Sequence, residues 1–251
     1  MFGRLGDLRA RLVRAAYQVL GPARMHRITH VAVRPGGDVL VDSASGVVSR
    51  FHVLSYQTGA LDRTYWLGRP ISKSPLDCWT YQEIIHELRP DLIVETGTYL
   101  GGSASFFAAM CDLVGHGEIV TIDDRERVTF THPRVTALIG DSTSDSILAR
   151  VAARAARSKR VLVTLDADHR AEHVGRELRA YAPFVTLGSY LVVEDTNVNG
   201  HPVFPDHGPG PMEALREFLA ETDEFAPDPS REKFLLTYFP GGWLKRVRPA
   251  R

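Results

Sequence analysis

Two short runs gather acids and a histidine where an active site is easily built. Asp166-Ala-Asp168-His169 follows the apolar run Arg160 to Leu165, and Glu194-Asp195 follows Tyr190 to Val193. If both runs are buried strands of one sheet, their carboxyl ends bring four carboxylates and one imidazole together. Carboxylates at such spacing repel one another unless a proton or a cation lies between them. Oxygen donors of this kind suit a hard divalent cation such as Mg²⁺, which keeps several waters and leaves room for a substrate oxygen. Asp166, Glu194 and Asp195 are the expected metal ligands. His169, three residues after Asp166, is the expected proton acceptor. Asp168 has several readings: it could replace Asp166 as ligand, orient His169, stand in as the base, or cap the helix that follows. Cysteine takes no part, and His169, His173, His201 and His207 fall into no zinc-ligand spacing.

A second group lies at earlier strand ends. Glu95-Thr96-Gly97-Thr98-Tyr99-Leu100-Gly101-Gly102-Ser103 closes the run Leu92 to Glu95. Gly97 permits a sharp turn, and Gly101 and Gly102 allow close backbone approach and open a helix with free N–H groups. The middle glycine of a dinucleotide fingerprint is missing, and this helix start suits an amino-acid moiety better than a pyrophosphate. The next strand ends at Asp123-Asp124, where Asp123 could accept both ribose hydroxyls of a nucleoside or could cap a helix. The one after ends at Gly140-Asp141-Ser142, where Asp141 could approach an adenine amino group or cap a helix. A glycine turn followed by acids at the next two strand ends predicts an S-adenosylmethionine site.

The elements that must position these residues follow from periodicity. Strands are predicted at 92–95, 118–122, 135–139, 160–165, 190–193 and 234–239, with helices at 79–88, 102–114, 143–156, 169–181 and 211–221 between them. Alternation of this kind makes an α/β fold with a mainly parallel sheet covered on both faces, which binds ligands beyond the carboxyl strand ends. Before it, Leu5, Leu8, Leu12, Ala16 and Val19 stripe one helix, and Ile28–Val33 and Asp38–Val41 flank Pro35-Gly36-Gly37 as short strands. Residues 1–60 therefore read as an accessory segment, used for homo-oligomer contact, and 61–251 as the catalytic domain. The 251 residues carry 30 Lys+Arg against 30 Asp+Glu, a net charge of zero. That balance argues against a nucleic-acid coat and an electrostatic membrane anchor. Apolar residues at 44% and charged residues at 24% are ordinary for a globular enzyme. Cys78 and Cys111 sit in apolar runs as free thiols. No apolar run is long enough to cross a membrane and Met1 to Leu20 carries no secretory cleavage pattern, so the expected location is cytoplasmic.

Taken in order, the motifs resemble a known family. They are Trp66-x-Gly68-x-x-Ile71-x-Lys73-x-Pro75-x-Asp77, Tyr81-Gln82, Arg89-Pro90-Asp91 through Gly97 with Gly101-Gly102-Ser103, Leu165-Asp166-x-Asp168-His169, Val193-Glu194-Asp195-Thr196, and Gly208 to Ala214. Over residues 60 to 245 the chain is similar to the cephalosporin hydroxylase and rhamnosyl or macrolide O-methyltransferase group of class I S-adenosylmethionine-dependent methyltransferases. The resemblance implies a doubly wound, Rossmann-like sheet of seven strands whose last strand is antiparallel, here Phe234 to Phe239. It implies Mg²⁺ on Asp166, Glu194 and Asp195 with His169 as the basic residue beside it. It also implies that the arm around Lys73 and Tyr81 covers the cofactor or substrate pocket. The long Asn197–Pro211 loop then reads as an acceptor wall, with His201, Phe204 and His207 against a sugar. The expected activity is methyl transfer to a sugar hydroxyl, on a nucleotide-activated deoxysugar such as rhamnose or on a glycoside, in secondary metabolism. A hydroxylase or methoxylation component and a non-catalytic cofactor-binding scaffold are the alternatives.

Overall fold

The computed structural model describes residues 30–33, 39–42, 44–127 and 130–249. The chain divides into two units, Met1–Leu54 and Ser55–Arg251. The division falls slightly before the expected boundary at 60. Ser55 and Tyr56 already belong with the second unit, where their hydroxyls meet Tyr238 and Asn197. In the first unit, β1 (His30–Val33) and β2 (Val39–Asp42) form an antiparallel pair. Helix α1 (Ala44–Gln57) follows. The striped helix expected before residue 20 lies outside the described residues.

The second unit is built on a seven-stranded sheet. Its edge hairpin β3 (Tyr65–Trp66) and β4 (Arg69–Pro70) stands apart as a two-stranded ribbon. Helix α2 (Pro75–Leu88) leads into β5 (Leu92–Thr96), then α3 (Gly102–Val114), β6 (Glu118–Asp123) and β7 (Val135–Ile139). Next come α4 (Asp145–Ala155), β8 (Val161–Leu165), α5 (Ala171–Tyr181) and β9 (Tyr190–Val193). The chain closes with α6 (Pro211–Glu221), β10 (Phe225–Pro227) and β11 (Trp243–Arg246). The strand order is β10-β11-β9-β8-β5-β6-β7. The five strands β9 to β7 run parallel, and β10 and β11 are antiparallel.

Period-two alternation splits the core between the two faces of the sheet. Val94, Val120, Val163, Leu165 and Val193 face α4, α5 and α6. Ile93, Ile119, Leu162, Val192 and Trp243 face α2 and α3, meeting Tyr81, Ile84, Phe107 and Cys111. Ser74 caps α2 by accepting the Leu76 N–H at 3.2 Å, with Pro75 at the first helical position.

The last strand is not where sequence placed it. Phe234–Phe239 is a turning segment, and β11 begins at Trp243. The buried Asp77 carboxylate holds this segment, accepting from Thr237 Oγ1 at 2.6 Å and Tyr238 N at 2.9 Å. Phe239 instead spends its ring on Trp243, 5.3 Å away. Gly242 then lets the chain join the sheet: a Cβ there would lie 2.2 Å from the Val193 carbonyl oxygen.

Candidate active site

Register aligns the carboxyl strand ends. Val193 pairs with Leu165, Leu165 with Thr96, and Thr96 with Ile122, so Glu194, Asp166, Gly97 and Asp123 leave the sheet in one row. Strand β5 sits at the switch point, with β6 on one side and β8 on the other. A cleft of about 780 Å³ opens along that row, a size typical of small-molecule sites.

The acids expected to act together are sorted by strand alternation. Val192 faces α2 and Val193 faces α5, so Glu194 returns to the α2 side. There its carboxylate is 3% exposed and fully engaged. Oε1 accepts from Tyr81 OH at 2.7 Å and from Thr164 Oγ1 at 2.6 Å, and Oε2 meets Lys73 Nζ. Glu194, expected as a ligand with Asp166 and Asp195, is here bonded to Lys73, Tyr81 and Thr164 rather than clustered with His169. Asp195 follows with φ 52, a left-handed backbone that Asp tolerates better than most residues. That turn sends its carboxylate to the cleft, where Oδ2 lies 3.1 Å from His169 Nε2. Asp166 Oδ1 lies 3.3 Å from the same nitrogen. Asp166, His169 and Asp195 each offer a ligand atom within 4.8 Å of one another.

Of the arm expected over the pocket, Pro70, Ile71 and Ser72 line the cleft, while Lys73 and Tyr81 are buried behind its wall. Lys73 is 3% exposed and donates to Asp166 Oδ2 at 2.9 Å as well as to Glu194. Burial works against its charge, but the Asp166 and Glu194 carboxylates hold its ammonium well above the usual range. Burial also raises the Glu194 carboxyl, with Lys73 opposing. Tyr81 is wholly buried, and burial with the neighbouring Glu194 lifts its hydroxyl well above the usual value. Burial would raise Asp166, yet Lys73 and His169 bring it down to about 2. For His169, burial disfavours the cation, but hydrogen bonds to Asp166 and Asp195 push it up to about 11. A like-charged cluster needs a counter-ion; for its buried half the chain supplies one itself, in Lys73.

Asp168 closes the turn into α5 rather than capping the helix, whose N-cap is Arg170. Its Oδ1 accepts Arg170 N at 2.8 Å, and its Oδ2 pairs with Arg170 NH2 at 2.5 Å. Those Arg170 hydrogen bonds hold its carboxyl down at about 2. It lines the cleft, and its side-chain bonds go to Arg170 rather than to His169.

The glycine turn serves packing as well as access. A Cβ on Gly97, at φ 82, would lie 2.0 Å from the Asp166 carbonyl oxygen, and one on Gly102 would lie 2.0 Å from the Pro70 carbonyl oxygen. Gly97 thus seats the first strand end against the fourth, and Gly102 seats helix α3 under the β4 exit. Gly101 precedes that helix in the left-handed region at φ 78. Tyr99 and Ser103 line the cleft; Thr96 lies buried under it, receiving Asp166 N at its carbonyl. Glu95 is buried behind the turn. Its Oε2 accepts Thr121 Oγ1 at 2.5 Å, while Oε1 has no partner among the described residues. Burial raises its carboxyl to about 7, against the pull of Lys73.

Asp123 lines the cleft, but its oxygens already accept Tyr99 N at 2.7 Å and Arg125 N at 3.0 Å. Asp141 also lines it, and its Oδ1 caps Thr143 N at 2.8 Å. Ser142, Arg127 and His173 are wall residues that sequence did not flag. Ser142 is fixed by Glu177 Oε1 at 2.6 Å and, through its carbonyl, by Tyr181 OH at 2.7 Å. Only side chains one helix away reveal that role. His201 is bound to Glu213 Oε1 at 2.8 Å, and His207 Nδ1 lies 3.1 Å from the Gly208 carbonyl oxygen; neither lines the cleft. His201 ties the 197–210 loop to the start of α6, while His207 bonds its own chain neighbour within the loop.

Residues 58–247 match the family described as Rhamnosyl O-methyltransferase/CmcI. The chain belongs to that family. Rhamnosyl O-methyltransferase of Mycobacterium tuberculosis is 35% identical over 211 residues, covering 81% of this chain and 86% of that protein. The protein of the same name from Mycobacterium leprae is 34% identical over 209 residues, covering 80% and 90%. A solved structure of CmcI with Mg and SAM superposes with a TM-score of 0.58 at 21% identity, over 74% of this chain and 78% of that one. That likeness establishes the shared fold of this family member.

Proposed function

We propose that this family member transfers the methyl group of S-adenosylmethionine to a hydroxyl of a sugar or glycoside, with a hard divalent cation, Mg²⁺ above all, as cofactor. The observation that carries the reading is the Asp166–His169–Asp195 group at the cleft floor, beside the Gly97–Ser103 turn. Its two carboxylates suit a hard cation, with the imidazole beside them as base; an iron oxygenase triad has two imidazoles and one carboxylate. The names of its mycobacterial relatives favour rhamnose as the sugar.

The cleft fits the methyl donor in size, and its inner end offers the start of α3 to the amino-acid portion. Asp123, Asp124 and Asp141 stand along the other end, toward the nucleoside. Methyl transfer to an alcohol is an in-line displacement at a sulfonium: the attacking oxygen must lie about 3 Å from the methyl carbon, opposite the sulfur. A sugar hydroxyl is a weak nucleophile at neutral pH. Asp166 and Asp195 would hold the cation, which would supply positioning and a lowered hydroxyl pKa and would weaken the hold of both carboxylates on the His169 proton. With its own proton first released to solvent, the neutral His169 Nε2 takes the proton released by the hydroxyl. Lys73 keeps Asp166 ionised from below. Incubation with labelled S-adenosylmethionine and a panel of rhamnosides, with and without chelator, tests the reading; full turnover in excess chelator sinks the metal assignment.

Assembly and location complete the proposal. Residues 1–60 carry an apolar-striped sequence and the β1–β2 pair beyond the sheet, and we assign them to a homo-oligomer contact. A monomeric mass in solution, unchanged on deleting residues 1–25, would contradict that. The free thiols of Cys78 and Cys111 suit a reducing cytoplasm. Recovery of the protein from the culture medium of its own cells would contradict that location. Among the described residues no helix is long and apolar enough to cross a membrane.

A further inference from the structure

A polar network behind the nucleoside end of the cleft has no part in the chemistry above. Glu177 lies on α5, wholly buried, and does not line the cleft. Its Oε1 accepts Ser142 Oγ at 2.6 Å, and its Oε2 has no partner among the described residues. His173, one turn earlier on the same helix, brings Nε2 to 3.2 Å from Ser142 Oγ and 3.5 Å from Glu177 Oε1. The Arg176 guanidinium stands 3.2 Å from His173 Nδ1.

The donors in this network run one way. A guanidinium only donates, so His173 Nδ1 accepts and Nε2 carries the imidazole proton. Nε2 donates to Ser142 Oγ, whose own hydrogen goes to Glu177, and Glu177 ends the chain as acceptor. The Ser142 hydroxyl is therefore spent on α5, although Ser142 lines the cleft. Its carbonyl is spent on α5 as well, accepting Tyr181 OH at 2.7 Å. Asp141, the residue before it, is exposed on the cleft wall and uses Oδ1 for both of its bonds to Thr143, each 2.8 Å.

A buried carboxylate with one oxygen unpartnered is costly, so its place in the fold calls for a reason. Glu177 fixes the turn that leaves β7. Ser142 is held from α5 at its hydroxyl and its carbonyl, and Asp141 is carried with it. The same helix opens just after His169, so one rigid element runs from the acid group to this wall. We propose that Glu177 is a positioning residue for the methyl donor: from behind the wall, through Ser142, it holds the nucleoside end of the cleft in place and so sets the affinity for the donor. The proposal rests on the methyltransferase reading and adds to it a residue that touches neither donor nor acceptor.

The test is calorimetric titration of the full chain with S-adenosylhomocysteine. Glu177→Ala should raise the Kd about tenfold, the scale of one lost buried hydrogen bond. Glu177→Gln keeps an acceptor for the Ser142 hydroxyl and should restore most of the affinity. Ser142→Ala removes the same bond from the other side and should weaken binding by a similar factor, and it carries the test if Glu177→Ala does not fold. The double variant should bind no more weakly than the weaker single one, because both changes remove one interaction. An unchanged Kd in Glu177→Ala or Ser142→Ala, a Glu177→Gln protein as weak as Glu177→Ala, or additive losses in the double variant each overturn the positioning role and leave the methyltransferase reading standing. A wild-type protein that does not bind S-adenosylhomocysteine overturns both.

Discussion

Asp166 and Glu194 leave neighbouring strands in register, yet their carboxylates meet opposite fates. Glu194 is enclosed by Lys73, Tyr81 and Thr164 and touches nothing in the cleft. Asp166 shares Lys73 from below and faces His169 above, with Asp195 across from it. One half of the cluster is thus a closed network that carries its own cation. The other half is open, with the His169 imidazolium between Asp166 and Asp195 and Lys73 reaching Asp166 from below. The contrast teaches that an acid pair after a strand is not one functional unit. Strand parity buries the first acid, and a left-handed residue turns the second outward.

The open half should carry the largest functional effects. Asp195→Ala should take divalent-cation dependence and methyl transfer to the detection limit together, while circular dichroism and S-adenosylhomocysteine binding stay near wild type. Retained cation dependence would mean that Glu194 is, after all, a ligand. His169→Ala should lower kcat by roughly two to four decades with cation binding kept. Loss of cation affinity in that variant would make the imidazole a ligand rather than a base.

The closed half should answer in stability. Lys73→Met leaves two buried carboxylates uncompensated, and a loss of about 3–5 kcal/mol in urea unfolding is expected. A near-neutral result would show that Glu194 already holds a proton. Asp77 offers a pH probe of the same buried side. Burial lifts its folded carboxyl from 3.8 to about 7, against hydrogen bonds from Thr237 and Tyr238. The folded state then binds the extra proton between those values, so this group's contribution is fullest below about pH 4 and is lost as pH rises through 7. Asp77→Asn should flatten that decline in unfolding midpoint; an unchanged slope would show that Asp77 stays ionised. Tyr81→Phe is the mildest change, about 1 kcal/mol, since Thr164 still bonds Glu194 Oε1. Its kcat should hold within a few-fold, and a large fall would move Tyr81 into the cleft chemistry.

Much of this was legible along the chain. Apolar runs broken by Gly and Pro gave five of the six expected strands, and strand ends named the residues around the cleft. The sixth, Phe234–Phe239, misled because its aromatic character serves local packing on Trp243 and its backbone is anchored by Asp77, a contact across 160 residues. Asp123 and Asp141 were read with ligand and capping roles both open; both bond backbone amides, and both still line the cleft.

Composition, periodicity and motif order were enough to determine an α/β sheet, the row of strand ends and the family, because each depends on residue type and local spacing. Three things waited for the tertiary structure: the division of the acids, the burial of Lys73 beneath them, and the tie from Glu177 to Ser142 behind the cleft wall. Each depends on which side chains from distant segments share one small volume. Burial and charge pairing there decide whether a carboxylate is a fastening or an open ligand, and no single segment encodes that environment.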